Sequence, residues 1–395
     1  MIYADNAATS KLKDCALEAM LPYLKDSFGN PSSLHSVGQR ANSALTAARE
    51  KTAQLLGAKP CEIYFTSGGS EADNQAILTG ARLGERKGKK HIISTAFEHH
   101  AVLHTLEKLG REGFEITLLD VGEKGLVSAS QVEDAIREDT ALVTVMFANN
   151  EIGTIQPIAD IARVCRSRGV LFHTDAVQAV GHVKVDVGEL GVDMLSLSAH
   201  KFGGPTGVGV LFARKGVRPE ILIEGGAQER GRRAGTENLA GIVGMAAALE
   251  DACANMEDNA KKVAAMRDTL IDGLSKIPHS VLNGDRERRL PGNVNFCFEG
   301  IEGESLLLLL DDKGICASSG SACTSGSLDP SHVLLAIGRP HEIAHGSLRL
   351  TINESNTPEE MEKIVVSVAE VVERLRAMSP VWRDLVSGKK QFVIK

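Results

Sequence analysis

The chain has 395 residues, of which 24% are charged and 43% are hydrophobic, and its formal net charge is −7. This length and composition are typical of a globular protein of two or three domains and exclude a chain too polar to bury a core. The acidic balance, without a dense Lys/Arg tract, argues against direct binding of nucleic acid.

The seven cysteines are scattered and form no Cys-x-x-Cys pair, which predicts neither a zinc site nor a disulfide framework. The first residues, Met1-Ile-Tyr-Ala-Asp-Asn, lack the basic and apolar regions of a signal peptide. No apolar run is long enough to cross a membrane. We therefore predict a reduced, cytoplasmic enzyme with no membrane segment and no bound metal.

The first part of the chain is predicted to alternate between strands and helices. An irregular arm (residues 1–13) precedes helical patterns at 14–24 and 38–56. Short apolar runs then predict strands at 62–66, 92–95, 115–119, 142–147, 171–175, 194–198 and 208–212. Helical patterns separate these runs at 71–83, 101–109, 129–138 and 158–168. Such alternation predicts crossover units and a mainly parallel sheet that is covered on both faces.

The pattern changes after about residue 259. A long amphipathic helix at 260–276 precedes strands near 293–298 and 347–352, and a final helix covers 357–378. Thr357 followed by proline is typical of a helix start. We interpret this part as a smaller α+β domain that the N-terminal arm completes. The predicted domains are therefore 14–258 for the large domain, and 1–13 with 259–395 for the small one.

One lysine, Lys201, stands between a predicted strand and a turn rich in Gly and Pro. A lone lysine is more often a solvated surface residue. Here Ser198 and His200 precede it and flexible backbone follows it, which favours an amine held against a phosphate-bearing cofactor. A buried lysine loses its proton readily, and this property suits Schiff-base chemistry.

Two further segments offer groups that such a cofactor needs. The segment from Phe65 to Asn74 closes a strand, turns at two glycines and opens a helix, so its backbone N–H groups and Ser70 can bind a phosphate. Asp175 directly follows an apolar strand and precedes Lys201 by one more strand. On their own these would be a capped turn and a capping acid, but together with Lys201 the turn favours a phosphate site.

The segment 317–330 is mostly small and polar and contains Cys323. With so little apolar area we do not expect it to pack tightly, so the sequence predicts an accessible and mobile thiol. The remaining cysteines are predicted to be inert core residues; they are Cys15, Cys61, Cys165, Cys253, Cys297 and Cys316.

The segment Ser-x-His-Lys-x-x-Gly-Pro-x-Gly around Lys201 resembles the NifS/IscS cysteine desulfurases, within class V of the fold type I pyridoxal phosphate (PLP) enzymes. The resemblance extends from Asp5-Asn-Ala-Ala-Thr9 to Arg349, with the motifs in family order. Ser-Ser-Gly-Ser-Ala-Cys-Thr-Ser-Gly around Cys323 is similar to the group I pattern and differs from the short Arg-x-Gly-x-His-Cys form of group II.

The resemblance implies an α/β protein of the PLP-dependent transferase fold type I. Its large domain would hold a mainly parallel seven-stranded sheet between helices. Its smaller C-terminal α+β domain would carry the catalytic cysteine loop at about 317–330.

The resemblance also implies the residues of the active site. Those implied to bind pyridoxal 5'-phosphate are Gly69, Ser70, His99, Asn150, Asp175, Gln178, Ser198, His200, Lys201 and Thr236. His99 would stack on the ring and transfer protons, and Asn150 would contact both the cofactor and the substrate. Arg349 would bind the substrate carboxylate. Thr236 would reach the phosphate in the neighbouring subunit, which implies a homodimer.

The implied reaction converts L-cysteine to L-alanine and transfers sulfur to Cys323 as a persulfide. The catalytic residues would be Cys323, Lys201 and His99. An acceptor such as an iron–sulfur scaffold, or an enzyme of thio-cofactor or tRNA thiolation, would take the sulfur. The residues leave open a selenocysteine lyase, another class V PLP enzyme such as an aminotransferase, and a non-catalytic sulfur carrier that keeps the fold.

Overall fold

The computed structural model of the chain describes residues 1–319 and 330–394. Its strands in that part of the chain are β1 (Ile2–Tyr3), β2 (Ile63–Thr66), β3 (His91–Thr95), β4 (Glu115–Leu119), β5 (Thr140–Thr144), β6 (Leu171–Asp175), β7 (Met194–Ser198), β8 (Gly209–Ala213), β9 (Ser280–Leu282), β10 (Asn293–Phe298), β11 (Ile315–Cys316) and β12 (Ser347–Thr351).

The helices differ widely in length, and several are single turns. They are α1 (Asp14–Lys25), α2 (Ser36–Leu55), α3 (Gly69–Glu85), α4 (His100–Arg111), α5 (Ala129–Ala135), α6 (Ile158–Ser167), α7 (Val187–Leu190), α8 (Gln228–Gly231), α9 (Leu239–Ala254), α10 (Met256–Leu274), α11 (Gly303–Asp312), α12 (His332–Ala336), α13 (His341–Ala344), α14 (Pro358–Met378) and α15 (Pro380–Val386).

The central sheet has the strand order β2-β8-β7-β6-β5-β3-β4. The neighbours from β4 to β7 are parallel, whereas β8 is antiparallel to both β7 and β2. The prediction of a mainly parallel seven-stranded sheet is therefore confirmed. The apolar run predicted at 142–147 differs, because β5 ends at Thr144. The chain beyond it still bonds to β6 through the N–H groups of Val145 and Phe147.

Both faces of the central sheet are covered, which explains why its strands are apolar without alternation. Ile93 and Val143 pack into the hydrophobic cluster on one face. Their neighbours Ile92 and Leu142 pack into the cluster on the other face, where they meet α3 and α4. Successive side chains of a strand point to opposite faces, so a strand covered twice must be apolar at every position.

A smaller antiparallel sheet, β12-β10-β9, forms its own apolar cluster with α10, α11 and α14. The N-terminal arm joins this layer, because β1 pairs with β11 and Asp5 bridges to Thr351 of β12. The structure thus attaches the arm to the C-terminal part of the chain. The division at residues 14 and 259 stays a prediction.

Helix α9 is a long helix that the sequence patterns do not predict. It is rich in alanine and glycine and is buried on most of its surface, so it lacks the amphipathic period that marks α4. In the described part of the chain no single helix is long and apolar enough to cross a bilayer. Only α9 and α10 taken together would pass that test, and they are bent by 72°.

Candidate active site

A cavity of 220 Å³ lies at the carboxyl ends of β6 and β7, where parallel α/β sheets bind their ligands. Ten of the predicted site residues line it: Gly69, Ser70, His99, Asn150, Asp175, Gln178, Ser198, His200, Lys201 and Arg349. Two residues of the arm, Ala7 and Ala8, also line it. The cavity is therefore enclosed by the central sheet, the small sheet and the arm together.

One end of the cavity is the turn between β2 and α3. Gly68 precedes the helix and offers no side chain to cap its first N–H groups, which leaves them for an anion. Ser198 lies beside this turn, because a Cβ atom added at Gly69 would be 3.5 Å from that of Ser198. A Cβ atom at Gly209 would be 2.6 Å from the backbone carbon of Gly68, so β8 can approach the turn only with a glycine there.

Asp175 ends β6 on the floor of the cavity and is buried. Its Oδ1 accepts a hydrogen bond from the N–H of Val177 at 2.9 Å. Burial raises the pKa of this carboxyl to about 6, although the Val177 N–H and the Lys201 ammonium both act to lower it. A cation at the floor of the cavity would therefore be held strongly.

Lys201 ends a short 3-10 turn that follows β7. Its Nζ donates hydrogen bonds to the carbonyl oxygens of Ala7 at 2.5 Å and Ala8 at 2.9 Å. The backbone carbonyl of Lys201 is bonded to the partly buried ring of His182 at 2.9 Å. The lysine is thus fixed at its backbone, and its amine lies inside the cavity against the arm.

His99 is the N-cap of α4, and its Nδ1 accepts a hydrogen bond from the N–H of Ala101 at 3.1 Å. Burial and the nearby Lys201 charge lower the pKa of His99 to about 4, so the ring is neutral at neutral pH. Because Nδ1 accepts, the proton of the neutral ring is on Nε2. The imidazole can therefore donate from Nε2.

Arg349 lies in β12 and is only 3% exposed. Its Nη1 donates to the carbonyl oxygen of Asn150 at 3.2 Å, and its Nη2 donates to Oδ1 of Asp5 at 2.9 Å. Its Nε is buried and has no hydrogen-bond partner among the described residues. A guanidinium with an unused donor in a cavity is suited to bind a carboxylate.

The arm also contacts two other predicted residues. Nε2 of Gln178 donates to the carbonyl oxygen of Ala7 at 3.1 Å. The Nδ1 of His200 is bonded to the hydroxyl of Thr9 at 3.1 Å. Burial, together with the charge of Lys201, lowers the pKa of His200 to about 4, so this ring is neutral as well.

Two predicted residues are not among those lining the cavity. Thr236 is exposed. It follows Arg233, which pairs at 2.9 Å with Glu71 of α3. Helix α3 begins at the turn that follows β2 (residues 67–69), which is called the anion turn because its N–H groups are left for an anion. Cys323 lies outside the described residues. The chain before it is close to the site, because Ser318 and Arg349 exchange backbone hydrogen bonds at 3.1 and 2.6 Å.

The prediction that six cysteines are core residues is wrong in part. Cys165 and Cys297 are buried, whereas Cys61 is exposed and the other three are partly exposed. Cys61 lies in the turn before β2, where the chain reaches the surface.

Sequence reasoning missed Asp73, a buried residue that lines the cavity. Burial and the neighbouring Asp175 carboxyl raise its pKa well above the ordinary value. Its position three residues after Ser70 was the available signal, because residues three apart share one face of a helix.

The comparisons with known proteins identify the family of the chain. The model of the family described as aminotransferase class-V matches residues 2–364. A cysteine desulfurase IscS of Methanosarcina thermophila is 54% identical over 379 residues, which cover 96% of this chain and 94% of that protein. One of Clostridium botulinum is 52% identical over 99% of both chains. A solved structure titled NifS-like protein superposes with a TM-score of 0.89 at 39% identity, over 95% of this chain and 100% of its own.

Proposed function

The chain belongs to the class-V aminotransferase family and is a cysteine desulfurase, and we propose that it moves sulfur from L-cysteine to Cys323 with pyridoxal phosphate bound at Lys201. The observation that carries the proposal is that ten predicted residues, spread from 69 to 349, line one cavity. Their separation along the chain means that only the fold brings them together.

The residues of the cavity match the groups of pyridoxal phosphate. The N-terminus of α3 offers N–H donors for a phosphate, with Ser198 beside it. Asp175 offers a carboxylate for a pyridine nitrogen, and Lys201 offers the amine for an aldehyde. When bound, pyridoxal phosphate supplies a protonated ring that takes up electrons from the α-carbon of an amino acid.

The remaining residues would bind the substrate and handle its protons. Arg349 would hold the carboxylate of L-cysteine, with Asn150 beside it. His99 would donate a proton from Nε2, because its neutral ring carries the proton there. The carbonyl oxygens of Ala7 and Ala8 would hold the amine of Lys201 whenever the cofactor does not.

The sulfur would leave by attack of the Cys323 thiolate on the sulfur atom of the substrate. The carbon–sulfur bond breaks, the carbon keeps the electron pair and gains a proton, and a sulfur–sulfur bond forms on Cys323. L-Cysteine and the thiol thus become L-alanine and a persulfide, with no added oxidant. The backbone hydrogen bonds between Ser318 and Arg349 support this step, because the chain that leads to Cys323 leaves from the edge of the cavity.

Replacement of the thiol tests the proposal. We expect Cys323→Ala to bind cofactor normally and to lose alanine formation from L-cysteine. Cys61→Ala removes an exposed thiol that does not line the cavity, and it should retain full activity. Alanine production by Cys323→Ala at the rate of the unaltered protein would contradict the proposal.

We propose a homodimer in which Thr236 contacts the phosphate in the partner's site. Large apolar side chains are exposed along α1 and the segment after it: Leu17, Leu21, Leu24, Phe28 and Leu34. Several exposed apolar side chains in one segment support an interface, and the exposed Thr236 is not among the residues that line the cavity of its own chain. Sedimentation equilibrium should give twice the mass of the chain; the mass of one chain would contradict a dimer.

The persulfide would pass to an acceptor protein, such as an iron–sulfur scaffold. The name IscS of the relatives supports this class of acceptor. Transfer of labelled sulfur from Cys323 to a purified scaffold protein would test it, and retention of all label on the enzyme would contradict it.

A further inference from the structure

Asp5 of the N-terminal arm forms an ion pair with Arg349, the residue proposed to bind the substrate carboxylate. The Nη2–Oδ1 distance is 2.9 Å, and the two side chains are 3% and 21% exposed for arginine and aspartate. The pair joins residues 344 positions apart in the chain. A charged hydrogen bond at this depth is shielded from water and is stronger than a surface pair.

The donors of Arg349 divide into those already used and those available. A guanidinium has five N–H groups. One on Nη1 is bonded to the carbonyl of Asn150, and one on Nη2 is bonded to Asp5. Nε–H is buried without a partner among the described residues. Arg349 lines the cavity, so the unused donors remain for a carboxylate that enters there.

Asp5 is held in place by its neighbours. The carbonyl of Ala4 accepts from Thr351 N–H at 2.7 Å, and the N–H of Asn6 donates to the carbonyl of Thr351 at 3.1 Å. The N–H of Ala7 donates to the Thr351 hydroxyl at 2.8 Å. Thr351 is two residues beyond Arg349 on β12, so the strand that carries the guanidinium also fixes the backbone of its partner.

A second carboxyl lies near Arg349 but is engaged elsewhere. Glu151 is buried and accepts a hydrogen bond from the hydroxyl of Ser331 at 2.5 Å. Burial raises its pKa to about 7, so it is partly protonated at neutral pH. Among the described residues, Asp5 is the carboxylate that bonds directly to the guanidinium.

We propose that Asp5 is a positioning residue for substrate recognition. It anchors Nη2 of Arg349, so that Nε–H and the remaining N–H groups present a preformed fork to the carboxylate of L-cysteine. This inference rests on the proposed function, because it takes Arg349 as the carboxylate site. Both the anchor and the substrate bind one guanidinium, on different N–H groups, so Asp5 does not have to leave when substrate enters.

The test compares two probes on the cofactor-loaded protein. L-Alanine has the amine and carboxylate of the substrate, whereas ethylamine has the amine alone. Their binding is measured from the visible absorbance of the cofactor. In Asp5→Ala we expect the affinity for L-alanine to fall about tenfold, the loss of one hydrogen bond to a charged group, with ethylamine unchanged. KM for L-cysteine should rise by the same factor, with kcat nearly constant.

Two variants separate positioning from simple docking of the arm. Asp5→Asn keeps an oxygen that accepts from Nη2, so it should retain most of the affinity for L-alanine. Glu354→Ala removes the carboxylate that pairs with Lys13 of the arm at 3.1 Å, without touching Arg349, and should behave like the unaltered protein.

Three results would overturn the inference. Asp5→Ala could bind L-alanine as tightly as, or more tightly than, the unaltered protein, which would make Asp5 neutral or a competitor. Glu354→Ala could cause the same loss, which would assign the effect to docking of the arm. If the unaltered protein itself does not prefer L-alanine to ethylamine, the role of Arg349 falls as well, and this result identifies a failure of the proposed function.

Discussion

His99 and Asp175 line the same cavity, and burial moves their pKa values in opposite directions. The imidazole loses its proton more readily, with a pKa of about 4, because the charged form is the cation. The carboxyl keeps its proton longer, with a pKa of about 6, because its charged form is the anion. The buried cavity is therefore a poor place for either charge, and a cationic group held at Asp175 would relieve the cost of its carboxylate.

Asp175→Asn should make the cofactor-free protein more stable at pH 8. The carboxyl has an ordinary pKa of 3.8 and one of about 6 in the fold, so the folded chain binds more protons than the unfolded chain between these values. Stability therefore falls as pH rises through this window. The asparagine does not titrate, so its advantage should grow to on the order of 3 kcal/mol above pH 6. Urea unfolding at pH 4 and pH 8 measures this difference.

The same variant should bind pyridoxal phosphate more weakly, because residue 175, the proposed partner of the ring nitrogen, would then be neutral. Glu123→Gln, at an exposed position, is the control for loss of one carboxylate. If the free energies of unfolding of Asp175→Asn and the unaltered protein change in parallel between pH 4 and pH 8, the raised pKa assigned to Asp175 is contradicted.

At the scale of elements, one buried carboxylate connects α2, β2 and the segment that leads to Thr236. Glu229 accepts from both Nη atoms of Arg49, at 2.7 and 2.6 Å, and from the N–H of Phe65 at 3.0 Å. It does so with a φ of 46°, in the left-handed region that few side chains adopt. Phe65 is next to the last residue of β2, just before the anion turn.

Glu229→Ala should destabilise the protein by about 3 to 5 kcal/mol, because it leaves Arg49, whose side chain is only 13% exposed, without its counter-charge. Glu250→Ala removes the partner of Lys51, which lies on α2 like Arg49 but forms an exposed pair. This variant should cost less than about 1 kcal/mol. Denaturant unfolding of both variants gives the comparison. Equal losses would show that Glu229 contributes no more than a surface charge.

The sequence predicts elements best where a local pattern decides them. The bounds of β4, β6, β7 and β10 agree with the predicted strands, because each is a short apolar run between polar turns. Helix α3 begins at Gly69, two residues before the predicted start, since the anion turn itself supplies its first residues. Helix α9 has no predictive pattern, because almost every side is buried.

The candidate site shows the same division. Motifs of adjacent residues indicate Lys201, Asp175 and the anion turn, and the cavity contains them all. The pairing of Asp5 with Arg349 spans nearly the whole chain, and no local pattern in the sequence carries it. Contacts of this kind depend on how the arm folds back onto β12.

At the scale of the whole molecule, the cavity exists only when three parts of the chain meet. The central sheet supplies Asp175 and Lys201, the small sheet supplies Arg349, and the arm closes the space with Ala7 and Ala8. The arm is bonded on one side to Thr351 and on the other to His200 through Ser10. Arg349, the proposed site of the substrate carboxylate, and the Lys201 amine are thus connected through one short segment.

The most direct test of this account follows the sulfur atom itself. The full-length, cofactor-loaded protein is incubated with L-cysteine that carries radioactive sulfur, and the label is mapped on peptides under non-reducing conditions. We predict label on the peptide of Cys323, and none on that peptide in Lys201→Ala. Label on another cysteine, such as the exposed Cys61, or labelled Cys323 in the absence of the lysine amine, would contradict the account.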